Sequence, residues 1–201
     1  MKKLLHIGCG MDTIKDLDVS RFADEGWHEV RFDINPDVKP DIVGDMTDMS
    51  MIETGSMDAV YSAHNIEHLY PHQVLPALRE FNRVLAPDGF LVITCPDIQT
   101  VAQHVAAGRL MEPLYHSPAG PISALDILYG HASYIGQGMT YMAHKCGFVY
   151  SVLTSSLYEV GFGNVFGGRR PEKFDLWALA AKQPIDDAAI TLLAKRYLPE
   201  A

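Results

Sequence analysis

Apolar positions along this chain follow two different periods, and the alternation between them predicts its elements. Residues 4–8 form a short apolar run that stops at Gly8, the pattern of a buried strand entering a turn. The next strand spans 29–34. Between the two, residues 18–27 place Val19, Phe22, Ala23 and Trp27 at helical spacing, with Asp18 or Ser20 as the cap. A brief strand at 41–45 and a longer one at 57–63 follow, the second entered through Gly55 and Ser56. The strongest helical pattern covers 71–85. There Val74, Leu75, Leu78, Phe81, Val84 and Leu85 share one face, and Arg79, Glu80 and Arg83 lie on the other. Ala-Pro-Asp-Gly at 86–89 ends this helix, and 90–95 is an apolar, β-branched strand.

Strands that alternate with helices and loops in this order require a largely parallel sheet with crossovers, so the fold class is α/β. The expected architecture is a Rossmann-like, mostly parallel sheet with helices on both faces. After a helix at 98–107, residues 108–145 are rich in Pro, Gly, His, Tyr and Met without a clean period, which predicts an irregular cap inserted over the ligand end of the sheet. A helix at 148–160 follows. Strands within 161–168 and 174–181, joined by Gly-Gly-Arg-Arg-Pro-Glu-Lys, predict an antiparallel C-terminal hairpin at the sheet edge. Without internal repeats, residues 1–201 read as one domain.

Composition narrows the partners. Hydrophobic residues make up 48% of the chain, enough for a sizeable core. Sixteen basic against 25 acidic residues, a net charge of -9, argue against nucleic acid and anionic membrane as partners and favour a small or neutral substrate. The three cysteines, Cys9, Cys95 and Cys146, show no C-x-x-C pairing, so the expected compartment is the reducing cytoplasm. The apolar run in Met1–Gly10 is too short for a signal segment or a membrane span. Nothing in the sequence indicates an oligomeric state.

Two stretches carry candidate chemistry. His64, Glu67 and His68 fit the H-x-x-E-H pattern of zinc proteases. Yet the stretch leaves a strand directly and Pro71 stands three residues beyond it, so little helix remains to hold such a site rigid. The other stretch is Gly8-Cys9-Gly10 after the first strand, where the backbone can turn tightly and approach a ligand. Asp33, about 20 residues on at the end of the second strand, suits the two hydroxyls of a ribose. A further acid, Asp45, ends the third strand.

In this order the segments His6–Gly10, FDINP, GDMTDM, SMDAVYSAHNIEHL and LREFNRVLAPDGFLVITCPD resemble the motifs of class I S-adenosylmethionine-dependent methyltransferases, in particular the small single-domain type. The resemblance covers most of the chain. It implies S-adenosylmethionine as cofactor, with Ile7, Gly8, Cys9 and Gly10 backing its methionine part. It further implies Asp33 and Ile34 at the ribose, Asp45 and Met46 at the adenine, and Ser62, Ala63 and His64 on the sulfonium side. The implied activity is methyl transfer to a small-molecule, lipid-linked or glycan acceptor at oxygen or nitrogen. The first motif departs from the family pattern, with His6 at its acidic position and Asp12 at that of its last glycine.

Several assignments stay open at this level. His64 reads either as a base near the transferred methyl or as a loop tie, and His144 in the cap reads as a second catalytic candidate or as packing. Glu67 and His68 read as residues that hold the loop together, the alternative being a divalent metal on His64, Glu67 and His68. Arg169 and Arg170 read as solvated charge or as an anchor for an anionic acceptor. The competing functions are a non-catalytic protein that binds S-adenosylmethionine or a nucleoside on the same fold, and an NAD(P)-dependent oxidoreductase. The second would want a glycine near position 13, where the chain has Thr13.

Overall fold

The structure is a computed structural model and describes residues 1–19, 21–117 and 120–199. Its centre is a seven-stranded sheet of order β3-β2-β1-β4-β5-β9-β8. The strands are β1 (Lys3–Ile7), β2 (His28–Asp33), β3 (Ile42–Val43), β4 (Met57–Ala63), β5 (Leu85–Pro96), β8 (Asn164–Arg170) and β9 (Asp175–Ala181). The first five pair in parallel, while β9 runs antiparallel to both β5 and β8. The α/β class, the Rossmann-like sheet and the antiparallel C-terminal hairpin therefore stand as expected. The strand predicted at 41–45 shortens to Ile42–Val43, and Ser20, a candidate helix cap, lies outside the described residues.

Alternation along the strands sorts side chains to two faces. Leu5, Ile7, Val60, Leu91 and Ile93 point into one core with Val74, Leu78 and Phe81 of α2 (Pro71–Val84) and Leu153 and Leu157 of α6 (Tyr150–Glu159). Leu4, Ala59, Tyr61, Val92 and Trp177 point into the other. That second core takes Phe22 from α1 (Arg21–Asp24), with Ile190 and Tyr197 from α7 (Asp187–Tyr197). Each buried Val, Leu, Ile or Phe among them contributes roughly 1.5–3 kcal/mol.

The strand after α2 begins earlier than its turn residues suggest. Leu85 already pairs with Met57, residues 86–89 bulge out, and pairing resumes at Phe90 with Ala59. Gly89 permits the bulge, because a Cβ there would lie 3.0 Å from the Ala86 carbonyl oxygen and 3.1 Å from that of Asp58.

The cap predicted as irregular is regular over much of its length. After α3 (Ile98–Ala106) it forms the antiparallel pair β6 (Pro113–Ser117) and β7 (Gly120–Ser123), then the short helices α4 (Ala124–Tyr129) and α5 (Ala132–Gly136). Ile122, Ala124 and Ile127 pack with Val101 of α3 as a small third core. These elements are too short for a period to show, and tertiary burial rather than propensity holds them. No helix among the described residues is long and apolar enough to cross a membrane.

Candidate active site

The strand order reverses between β1 and β4, and the carboxyl ends of the strands at such a switch point leave a crevice. Register puts the ends side by side. Ile7 pairs with Phe32 and with Ser62, so Gly8, Asp33 and Ala63 follow at one level. Gly8 and Gly10 both take positive φ, +61° and +53°. At Gly8 a Cβ would come within 1.9 Å of Asn65 Oδ1, whereas at Gly10 it would meet no protein atom within 4 Å. The first glycine is thus demanded by packing, and the second keeps the cavity wall bare.

Asparagine 65 is a site residue that sequence reasoning passed over. Its buried Nδ2 donates to the Ile7 carbonyl at 2.8 Å and the Ala63 carbonyl at 3.0 Å, tying the ends of β1 and β4 together. Arg31 was likewise missed. Its guanidinium donates to the carbonyls of Gly10 at 2.6 Å, Asp12 at 3.2 Å and Lys39 at 3.1 Å, which fixes the glycine turn against the loop after β2. Both hold main-chain carbonyls that lie far away in sequence, so only the geometry shows what each fastens.

Asp33 is 8% exposed, and its two oxygens accept from the amides of Gly10 and Asn35, both at 2.8 Å. Each oxygen keeps a second acceptor site for a hydroxyl. Asp45 spends one oxygen on the amide and hydroxyl of Thr47, each at 2.8 Å. The unusual His6 is also accounted for. Its Nδ1 lies 2.8 Å from Glu29 Oε1, and Glu29 Oε2 accepts the Ile14 amide at 2.9 Å. A carboxylate from β2 thereby anchors the loop beyond the glycine turn.

Of these groups, Gly8, Gly10, Asp33, Asn35, Asp45 and Asn65 line a cavity of about 600 Å³. Of the sequence candidates, Ile7, Gly8, Gly10, Asp33, Ile34, Asp45, Met46, Ala63 and His64 reach it. Cys9 and Ser62 do not line it. Cys9 is buried behind the turn, with its thiol pushed up to about 11 by that burial, and Ser62 is fully buried in β4. From the cap, Tyr134, Met139, Tyr141, Met142 and Lys145 close the space, and Asn35 Nδ2 donates to the Tyr141 hydroxyl at 3.3 Å.

His64 follows β4 in a left-handed conformation, φ +54°, with 51% of its side chain exposed and Nδ1 3.5 Å from Glu67 Oε1. Partial burial opposes its charge, but the Glu67 carboxylate outweighs that and holds the imidazole above its ordinary pKa. Glu67 itself is 1% exposed, and neither of its oxygens has a hydrogen-bond partner. Burial pushes its carboxyl up; His64 first, then His68 and His144, pull it below the ordinary range.

His68 lines the cavity with its Nδ1 3.3 Å from the Ala143 carbonyl. His144 is held by the Ile127 carbonyl at 2.6 Å and does not line the cavity. His68 and His144 meet edge to face at 4.9 Å between ring centroids. The fold therefore gathers Glu67 and His68 with His144, and leaves His64 beside them on the cavity side.

Arg169 and Arg170 are not solvated charge. Arg169 Nε donates to buried Asp97 at 2.7 Å, and Arg170 Nε donates to Asp175 at 2.9 Å, so neither is free for an anionic acceptor.

Residues 5–93 match the family profile described as a methyltransferase domain, and they hold the glycine turn, Asp33, Asp45 and His64. Over that stretch, a little under half of the chain, the sequence is similar to a methyltransferase domain. Solved methyltransferases share its fold. The chain is 17% identical to a SAM-dependent methyltransferase from Archaeoglobus fulgidus, with a TM-score of 0.59 over 90% of this chain and 86% of that one. A SAM-dependent methyltransferase from Methanosarcina mazei is 15% identical, with a TM-score of 0.59 over 91% and 93%. The Burkholderia thailandensis 1,6-didemethyltoxoflavin-N1-methyltransferase, solved with 1,6-didemethyltoxoflavin and S-adenosylhomocysteine, is 15% identical, with a TM-score of 0.53 over 90% and 71%. No curated protein sequence matches the chain. The matched profile describes a methyltransferase domain and Thr13 stands where a nicotinamide-binding turn would want glycine, so both favour the methyltransferase reading over the nicotinamide one. The cofactor also fits the residues present, since the bare wall at Gly10 and the spare acceptor sites of Asp33 face one cavity of a size that suits a nucleoside ligand.

Proposed function

We propose that the chain is an S-adenosylmethionine-dependent methyltransferase acting on a small-molecule acceptor at oxygen or nitrogen, bound beside His64 beneath the cap. The observation that carries the reading is the single cavity that runs from the glycine turn and Asp33 to His64, roofed by Tyr134, Met139, Tyr141 and Met142. A roofed space favours a compact acceptor over a polymer, and the net charge of -9 disfavours nucleic acid. The bound cofactor supplies an electrophilic methyl on a sulfonium.

The chain's own contribution is alignment and exclusion of water, with Ile7, Gly8 and Gly10 as the wall and Asp33 as the ribose acceptor. Asp45 and Met46 border the far end. Where the acceptor must lose a proton, His64 is the nearest candidate base, because its Nδ1 faces Glu67 and Nε2 remains for the acceptor.

Calorimetry with S-adenosylhomocysteine tests the cofactor half of this reading. Wild type should bind one molecule per chain, and Asp33→Ala should weaken binding at least about thirtyfold, the loss of one or two charge-assisted hydrogen bonds. Unchanged affinity in Asp33→Ala would refute the assignment. A panel of hydroxyl and amine acceptors tests the rest; cofactor binding with no acceptor methylated would favour the non-catalytic alternative.

A further inference from the structure

Glu67 is a buried carboxylate with neither oxygen hydrogen-bonded, and the methyl-transfer reading uses it only to face His64 Nδ1 at 3.5 Å. Burying an ionised carboxylate with neither oxygen hydrogen-bonded costs several kcal/mol unless a cation compensates. Among the described residues its ion-pair partner is His64, and the imidazoles of His68 and His144 and the thiols of Cys95 and Cys146 stand nearby.

Two of those imidazoles are oriented as ligands. His68 and His144 each direct Nδ1 at a backbone carbonyl, Ala143 and Ile127 respectively, which leaves Nε2 as the outward donor. One ligand atom each from Glu67, His68 and His144 lie within 4.8 Å of one another. Donors about 2.0–2.2 Å from a shared ion stand roughly 3–4.4 Å apart, so only a slight contraction separates this cluster from coordination.

The cluster is also held in place by backbone. The amides of Lys145, at 2.8 Å, and Cys146, at 3.3 Å, both donate to the Glu67 carbonyl, and the His144 amide donates to the Tyr129 carbonyl at 3.1 Å. A histidine 76 positions beyond His68 is thus fixed over the carboxylate by bonds that its own side chain does not make.

We propose that Glu67, His68 and His144 bind one divalent first-row transition-metal ion at the edge of the cofactor cavity. Two imidazole nitrogens and one carboxylate suit Zn²⁺, Fe²⁺, Co²⁺ or Mn²⁺ better than Mg²⁺ or Ca²⁺, which prefer oxygen donors. Three protein ligands leave positions open. His68 belongs both to the cluster and to the cavity lining, so the open positions adjoin the space assigned to the acceptor. The metal site does not depend on the cofactor assignment.

The test is Co²⁺ titration of chelator-stripped protein, read by visible d–d absorption and by metal content after gel filtration. Wild type should take up one ion per chain. Glu67→Gln, His68→Ala and His144→Ala should each weaken uptake more than about a hundredfold, whereas His72→Ala on α2 should leave it unchanged. S-adenosylhomocysteine calorimetry on the same samples reports the fold and the cofactor site separately. Glu67→Gln keeps the side-chain volume, so it serves if a histidine variant fails to fold. Absence of uptake by wild type, or uptake that persists in folded Glu67→Gln, would overturn the proposal.

Discussion

Gly8 and Gly10 have the same backbone sign and different reasons for being glycine. An alanine at Gly8 would strain a left-handed residue and displace the Asn65 amide from the Ile7 carbonyl, together about 3 kcal/mol. At Gly10 only the strain of about 1 kcal/mol applies, but the methyl would enter open space at the cavity wall. Gly8→Ala should therefore lower the urea midpoint sharply. Gly10→Ala should fold nearly as well as wild type and lose most of its affinity for S-adenosylhomocysteine. Equal stability losses in the two variants would contradict this division. The glycines and Asp33 were legible in the sequence because backbone turns and ribose contacts demand particular residue types. Asn65, Arg31 and Glu29 were not, since their partners are main-chain atoms or a histidine that the fold brings near. His144 was visible only as one cap histidine among several until the backbone placed it over Glu67.

At the scale of elements, α2 supports one wall of the cavity through its polar face. Glu80 Oε2 accepts the Met49 amide at 2.8 Å, while Arg83 donates to the carbonyls of Met49 at 2.7 Å and Ile52 at 2.9 Å. The pair fastens the loop that carries Asp45 and Met46. Arg83, by its hydrogen bond to Glu80, holds that carboxyl below the usual glutamate range. A depressed carboxylate stabilises the fold above its unfolded pKa, and the benefit disappears as pH falls through the folded value. Glu80→Gln should accordingly cost about 1–2 kcal/mol at pH 7 by urea unfolding, and its deficit against wild type should shrink below about pH 4.5. A deficit that stays constant with pH would mean the charge plays no part. The long helix and the central strands were readable because their periods persist over many residues. The cap elements, four to six residues each, were not, and their regularity comes from the core around Val101, Ile122 and Ile127.

On the scale of the whole molecule, the cap and the sheet meet at the Glu67 cluster, so an ion there would bind only while the two are closed. At free metal a hundredfold above its Kd, opening of the cap should be about a hundredfold rarer. Limited proteolysis within 131–142 should be slow in Zn²⁺-loaded protein and rapid after chelation, with S-adenosylhomocysteine absent from both samples. Identical cleavage rates would uncouple the cap from the metal. The sheet order carries a different consequence, one of time. Strand β9 lies between β5 and β8, so the apolar edge of β5, complete at Pro96, waits for a partner that starts at Asp175. With ribosomes adding about 5–20 residues per second, those roughly 80 residues leave that edge bare for about 4–16 seconds in every round of synthesis. The nascent chain is most prone to aggregate, and most in need of a chaperone, within that interval.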